Sequence, residues 1–413
     1  MKKRIIYPAL IAIFVLSVGF ILVKYQYSKA DSKKKIYSLL DRKGPSAKTV
    51  EWIGMRNQAE ALTQQLNKDP ENTKALIGLA GLFIQEARMS GNFGYYDNAA
   101  MSYVNRVLVK DPSNFEALTY KALVQLSQHH FSEALVTGEA ARQLYPHSAF
   151  VYGILVDANV ELGNYPAAVE NSDKMVGIRP DIRSYSRIAY LREIHGDFPG
   201  AIEAMKLAVE AGVPGQESTE WCRIQLGRLY ELTGDLKSAE MHYTISLDER
   251  PLYAYALAGL GRIAAAKKEL PKAEALYKQA YEIIPDYGFM EEQAELYIQS
   301  NEPGKAKQLA NDIIKDMNQR KREEMNTDSS GHYSDKEMAA VYLLTDDYSN
   351  ALSHALMEYN RRPGNIEVNE LLAWIYFKSG EIEKAKSYLK EAMKTNSKNP
   401  RLLSRAALIN NKQ

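Results

Sequence analysis

The fold predicted by the sequence is all-α: a superhelical solenoid of about nine helix-turn-helix units, preceded by an N-terminal transmembrane helix. Three observations predict it. Prolines recur at Pro70, Pro112, Pro146, Pro180, Pro214, Pro251, Pro285 and Pro363, and four of the gaps between them equal 34 residues, the others being 42, 37 and 78. A period of that length marks a repeat array, in which no unit buries its apolar face alone and neighbours must stack. Small residues recur in phase with the prolines. Finally, Ile5 to Val23 is a run of 19 residues without a charge, IIYPALIAIFVLSVGFILV.

Residues 1–4 form a short basic tail. As a helix rising about 1.5 Å per residue, residues 5–23 span roughly 28 Å, close to the apolar thickness of a bilayer. We read them as a transmembrane signal-anchor. A cleaved signal peptide is the competing reading, because Ser28-Lys29-Ala30 has a small-x-small pattern, but the apolar run exceeds the roughly 7 to 15 residues usual for one. Lys2, Lys3 and Arg4 precede the span, and Lys24, Lys29, Lys33, Lys34 and Lys35 follow it, a count that alone points the body to the cytoplasm. Long folded domains translocate regardless of flanking charge. The expectation is therefore a single-pass protein with an extracytoplasmic (periplasmic) body.

A basic juxtamembrane linker, 24–46, leads to a capping helix over 47–69. Units 1–7 occupy 70–324, a loop follows over 325–331, units 8 and 9 fill 332–399, and 400–413 forms a C-terminal capping helix. Each position has a mechanical reason. Two antiparallel helices approach closely only where side chains are small, so positions 8, 20 and 27 take Gly, Ala or Ser, bulky residues at 4, 7, 11 and 24 fill the gaps, and proline at 32 stops the second helix. The unit from Ala254 shows this with Leu257, Leu260, Gly261, Ala264, Ala273, Tyr277, Ala280 and Pro285. Units from Phe115, Ala149, Ile182, Glu220 and Ile366 fit in phase, and weaker ones start at Thr73, Tyr287 and His332. Unit 1 carries eight extra residues, assigned to its internal turn around Ser90 to Gly94. Unit 7 ends in NQRKREE, read as an overlong second helix with a solvated basic face.

Of 413 residues 46% are hydrophobic and 25% charged, the ordinary range for a folded chain, and the single Cys222 makes no intramolecular disulfide. Setting aside residues 1–35, with eight Lys/Arg and one acid, leaves 44 basic against 50 acidic side chains, a net of −6. A nucleic-acid partner is not expected, because a phosphate footprint needs a basic face.

The in-phase positions resemble the tetratricopeptide repeat (TPR) over residues 70 to 410. More narrowly, GNFGYYDNA, ILVDANVELGNYPAA, SYSRIAYLREIHGDFPGAIEAMKLAVEAG, EWCRIQLGRLYELTGDL and ALAGLGRIAAA resemble an uncharacterised family of membrane-anchored bacterial TPR proteins. The resemblance implies a fold and no activity. It also implies a concave face lined by positions 2, 5, 9 and 12 of each first helix. Position 2 holds Phe150, Arg183, Trp221 and Tyr255, and position 9 holds Asp157, Tyr190, Arg228, Arg262 and Glu295. This mixed, aromatic groove suits a protein or peptide partner, with Arg228 and Arg262 stacked as carboxylate forks; the competing reading pairs them with Glu193, Glu231 and Glu295. The Lys and Asn clamp of chaperone adaptors is missing, since position 5 holds Ile77, Thr119, Gly153, Ser186, Ile224 and Ala258.

No catalytic, cofactor-binding or metal-binding residues are assigned. Gly259-Leu260-Gly261 lies inside a repeat helix rather than after a strand, His129-His130 falls in an inter-helix turn with no third ligand, and Cys222 sits at a packing position. The expected function is a non-catalytic interaction scaffold or assembly factor at a bacterial membrane. A small-molecule or glycan-binding accessory module for a membrane transporter or enzyme is the alternative, for which a content of 27 Tyr against 10 Phe argues mildly.

Overall fold

A computed structural model describes residues 35–42, 47–325 and 331–412. The basic tail and the uncharged run 5–23 lie outside them, as do 24–34 and 43–46 of the linker and 326–330 of the loop. Among the described residues no helix is long and apolar enough to cross a membrane, and there is no strand.

Twenty helices follow one another: α1 (Val50–Lys68), α2 (Thr73–Ser90), α3 (Phe93–Lys110), α4 (Phe115–Ser127), α5 (Phe131–Leu144), α6 (Ala149–Leu162), α7 (Tyr165–Ile178), α8 (Ile182–Ile194), α9 (Phe198–Glu210), α10 (Glu217–Leu232), α11 (Leu236–Glu249), α12 (Ala254–Ala266), α13 (Leu270–Ile283), α14 (Tyr287–Gln299), α15 (Pro303–Met325), α16 (Asp335–Leu344), α17 (Tyr348–Arg361), α18 (Ile366–Lys378), α19 (Ile382–Ala392) and α20 (Pro400–Asn410). Helices α2 to α19 pair into nine antiparallel units between two single helices. The fold is thus the all-α solenoid the repeats predict.

Small residues decide where the pairs touch. A Cβ on Gly261 would meet the Tyr277 ring at 2.9 Å, and one on Gly227 would meet the Tyr243 ring at 2.5 Å, so each aromatic occupies space that only glycine leaves open. Ala273 and Ala280, opposite, are fully buried. Cys222 packs in the core of units 4 and 5, and burial pushes its thiol up to about 12, which leaves it unreactive.

Unit 1 departs from the expected insertion. Its internal turn is only Gly91-Asn92, and the extra residues extend the helices instead, α2 and α3 having 18 residues each. The apolar periodicity runs on through both, so the longer pair buries more. The end of the linker is docked as well: Tyr37 N–H donates to Tyr103 Oη at 2.8 Å, Leu40 N–H to Tyr96 Oη at 3.0 Å, and Arg42 Nε to Glu86 Oε1 at 2.8 Å. Glu86 is fully buried, and a buried carboxylate requires such a counter-ion.

The superhelix closes on itself after six units. The internal turns of units 1, 2, 3 and 4 rest on the entries to unit 7, unit 8, unit 9 and α20. Gly91 packs on Ile284, and Gly196 on the Asn396 carbonyl. At unit 2, His129 Nδ1 donates to the Tyr333 carbonyl at 2.8 Å, His130 Nε2 to Gly331 at 2.9 Å, and His332 Nδ1 back to Ser127 at 3.1 Å. At unit 3, Ile366 N–H donates to Tyr165 Oη at 2.9 Å, and buried Arg362 joins Glu161 and Glu358.

Candidate functional site

The nine sequence-predicted groove residues divide into three groups. Phe150 (α6) and Arg183 (α8) pair with each other, the guanidinium lying 4.9 Å from the ring centroid; burial lowers the pKa of Arg183. Asp157 is held by Arg187, with Nε to Oδ1 at 2.8 Å and Nη2 to Oδ2 at 2.5 Å. Tyr190 is half-buried one turn further on, its hydroxyl pushed well up by burial and then by Glu367 and Glu161. On α12, Tyr255 meets Tyr253 and Phe289 edge-on at 5.6 and 5.4 Å.

Arg262 is committed to the fold. Its Nε donates to Glu231 Oε2 at 2.9 Å, Nη1 to Glu292 Oε1 at 3.0 Å and Nη2 to Tyr243 Oη at 3.1 Å. Every edge of the guanidinium is used, which removes it as a carboxylate fork for a partner. Arg228, at the same position one unit earlier, is exposed and pairs with no carboxylate among the described residues. It nevertheless lies in the field of Glu193, Glu292 and Glu367. Trp221 is half-buried about two turns before it on α10, and Glu295 is exposed on α14.

Position scanning missed Arg187 and Glu292. Both stand at position 6 of their units, as does Glu337, and a charged residue there was the available signal, because position 6 otherwise carries apolar or neutral side chains. It also missed the ion pair of Lys336 with Glu367, which joins units 8 and 9. Lys336 holds the Glu367 carboxyl down at about 2. The concave face is therefore a narrow, charged lumen whose members come from several units. Among the described residues no three His, Cys, Asp or Glu side chains are grouped as metal ligands.

A superhelical array of antiparallel helix pairs with a polar inner wall defines an α-solenoid of the protein-interaction type. The tetratricopeptide repeat pattern matches residues 224–288 and again 366–399. The chain therefore carries tetratricopeptide repeats. No curated protein matches its sequence. Among solved structures, a monomeric mutant of IFIT1 with Gppp-AAAA is similar at a TM-score of 0.51 and 14% identity, over 83% of this chain and 77% of that one. The APC/C hetero-tetramer Cut9-Hcn1 is similar at a TM-score of 0.48 and 13% identity, over 88% of this chain. The chain spans 60% of that relative's length. A thermophilic TPR protein in Thermus thermophilus, at 23% identity and a TM-score of 0.37, covers 42% of this chain and 91% of its own.

Proposed function

We propose that the protein is a non-catalytic scaffold or assembly factor that holds a segment of a partner protein in the lumen of its solenoid. The single observation carrying this reading is Arg228: a guanidinium on the inner wall with no carboxylate partner among the described residues, where the equivalent Arg262 has two. An extended segment that brings a carboxylate to Arg228 would find half-buried aromatic side chains further along the wall, Trp221 about two turns away on α10 and Tyr255 at the start of α12, as apolar anchors. The acids Glu193, Glu292, Glu295 and Glu367 on the same wall make it a poor phosphate track. We further propose that residues 5–23 tether the solenoid to a bacterial membrane, with the body outside the cytoplasm.

Site-specific photocrosslinking from position 221 in solubilised membranes tests the reading. A discrete crosslinked protein that disappears in Arg228→Glu supports it. Crosslinking unchanged by that substitution removes Arg228 from the interface. Carbonate-resistant membrane fractionation tests the tether, which a soluble form beginning at Asp31 would overturn.

A further inference from the structure

Where the first coil meets the second, α3 faces the entries of units 7 and 8 across a crevice of about 1700 Å³. Small-molecule pockets run to roughly 300–1,000 Å³, so this space is made for something longer. Its two walls have complementary unmet needs.

On the α3 wall stands Arg106, only 7% exposed. Its Nη2 donates to the Pro70 carbonyl, whereas Nε and Nη1 are buried and have no partner among the described residues. Glu71, next to Pro70 in the chain, is engaged by Lys110 at 3.0 Å. A guanidinium taken out of water normally finds acceptors for its donors, so two open ones mark a place where an anionic group is wanted. The opposite wall wants the reverse. Glu337 Oε2 is buried without a donor, and the neighbouring Glu291 carboxyl is pushed up to about 8 by burial, then by Glu337, Glu295 and Asp286. Of the cations on that side, Lys336 is bound to Glu367 and Arg320 to Asp316, and Lys321 also lines the crevice. The lining also includes Tyr95 and Met101 on α3 and Met317 on α15.

We infer that this crevice binds a short peptide carrying both charges, its carboxylate on Arg106 and its ammonium on Glu291 and Glu337. A nucleotide or inorganic phosphate satisfies only the first wall and is repelled by the second. A fatty acid leaves the acidic wall buried and unpaired. A peptide supplies both groups and an amide backbone between them, for which Asn105 on the α3 wall is a free partner. The site does not depend on the lumen reading at Arg228.

The test is binding of a random hexapeptide pool with free termini to the full-length protein in detergent, measured by competition and mass spectrometry. The same pool N-acetylated, the same pool C-amidated, and inorganic phosphate complete the panel. The free pool should bind, and blocking either end should weaken binding at least tenfold. Arg106→Gln should weaken the free pool to the level of the amidated one, and Glu337→Gln to that of the acetylated one. Should Arg106→Gln fail to fold, Glu337→Gln decides. Equal binding of all three pools, binding of phosphate alone, or free-pool binding that survives both substitutions overturns the inference. Loss of binding in Arg228→Glu would instead assign the peptide to the lumen.

Discussion

Gly163 and Gly364 touch backbone to backbone. Gly163 ends α6 with φ of +80°, and a Cβ built on it would overlap the carbonyl of Gly364 in the next coil. Two hundred residues apart in the chain, they fix the distance between successive turns of the superhelix. Gly380 has the same conformation, φ +82°, with nothing within 4 Å of its Cβ position.

That contrast makes a paired prediction. Gly380→Ala should cost about 1–2 kcal/mol, the left-handed backbone strain alone. Gly163→Ala adds a backbone overlap that neither glycine can relieve by rotation, and should cost at least about 1 kcal/mol more, by separating the coils. Equal denaturation midpoints for the two variants would mean that the seam at unit 3 does not form.

The two position-9 arginines should behave in opposite ways. Arg262→Glu leaves Glu231, Glu292 and Tyr243 without their donor and sets a third carboxylate among them, a loss of about 2–4 kcal/mol. Arg228→Glu breaks no direct pair but loses its attraction to Glu193, Glu292 and Glu367, and should cost no more than about 1 kcal/mol. Thermal melts of the two variants check this, and a large loss in Arg228→Glu would show it to be structural.

Arg362 is 2% exposed and bridges Glu358, on its own unit, to Glu161 in the previous coil. Arg362→Met would leave the buried Glu358 with Arg361 as its remaining counter-charge and would take the partner from Glu161, and should cost about 2–4 kcal/mol. Replacing Arg362 and Glu358 together by Met and Leu should recover most of that loss. A double variant no better than the single would place the cost elsewhere, in the van der Waals packing of the arginine stem on Phe131.

Two buried groups near the seam give opposing pH dependences. His129 is pushed down to about 4 by burial, then by His332, whose ring centroid lies 4.2 Å away, and by Arg362, with Glu337 acting against them. The unfolded chain takes up that proton near 6.5, so stability is lost as pH falls from about 6.5 to 4. Asp97 is pushed up to about 7 by burial, against its hydrogen bond from Ser127. The unfolded chain releases that proton near 3.9, so stability is lost as pH rises from about 4 to 7. Each slope approaches about 1.4 kcal/mol per pH unit, and together they nearly cancel. Asp97→Asn should therefore expose the histidine's slope, with stability now falling on acidification, and His129→Asn should expose the opposite one. Denaturation curves at pH 4.5, 5.5 and 6.5 measure both, and two flat profiles would contradict the assignment.

The sequence by itself determined the units. Prolines at 34-residue spacing and small residues such as Ala273 and Gly261 act within a helix pair, where a local pattern fixes the local contact, so the repeats were legible, although the helices of the units read from Glu220 and His332 begin at Glu217 and Asp335. The groove was partly legible for the same reason: Arg228 and Arg262 share position 9 and their equivalence is visible in the alignment of units. Which of them is free was not, because it depends on Glu292, a residue of the next unit but one in register with neither arginine by repeat position. The closing of the coil was decided by tertiary structure alone. Curvature accumulates from small rotations between neighbours, so contacts such as Glu161 with Arg362, His129 with Tyr333, and Gly163 with Gly364 arise only after six units have been stacked, and no single repeat carries their signature.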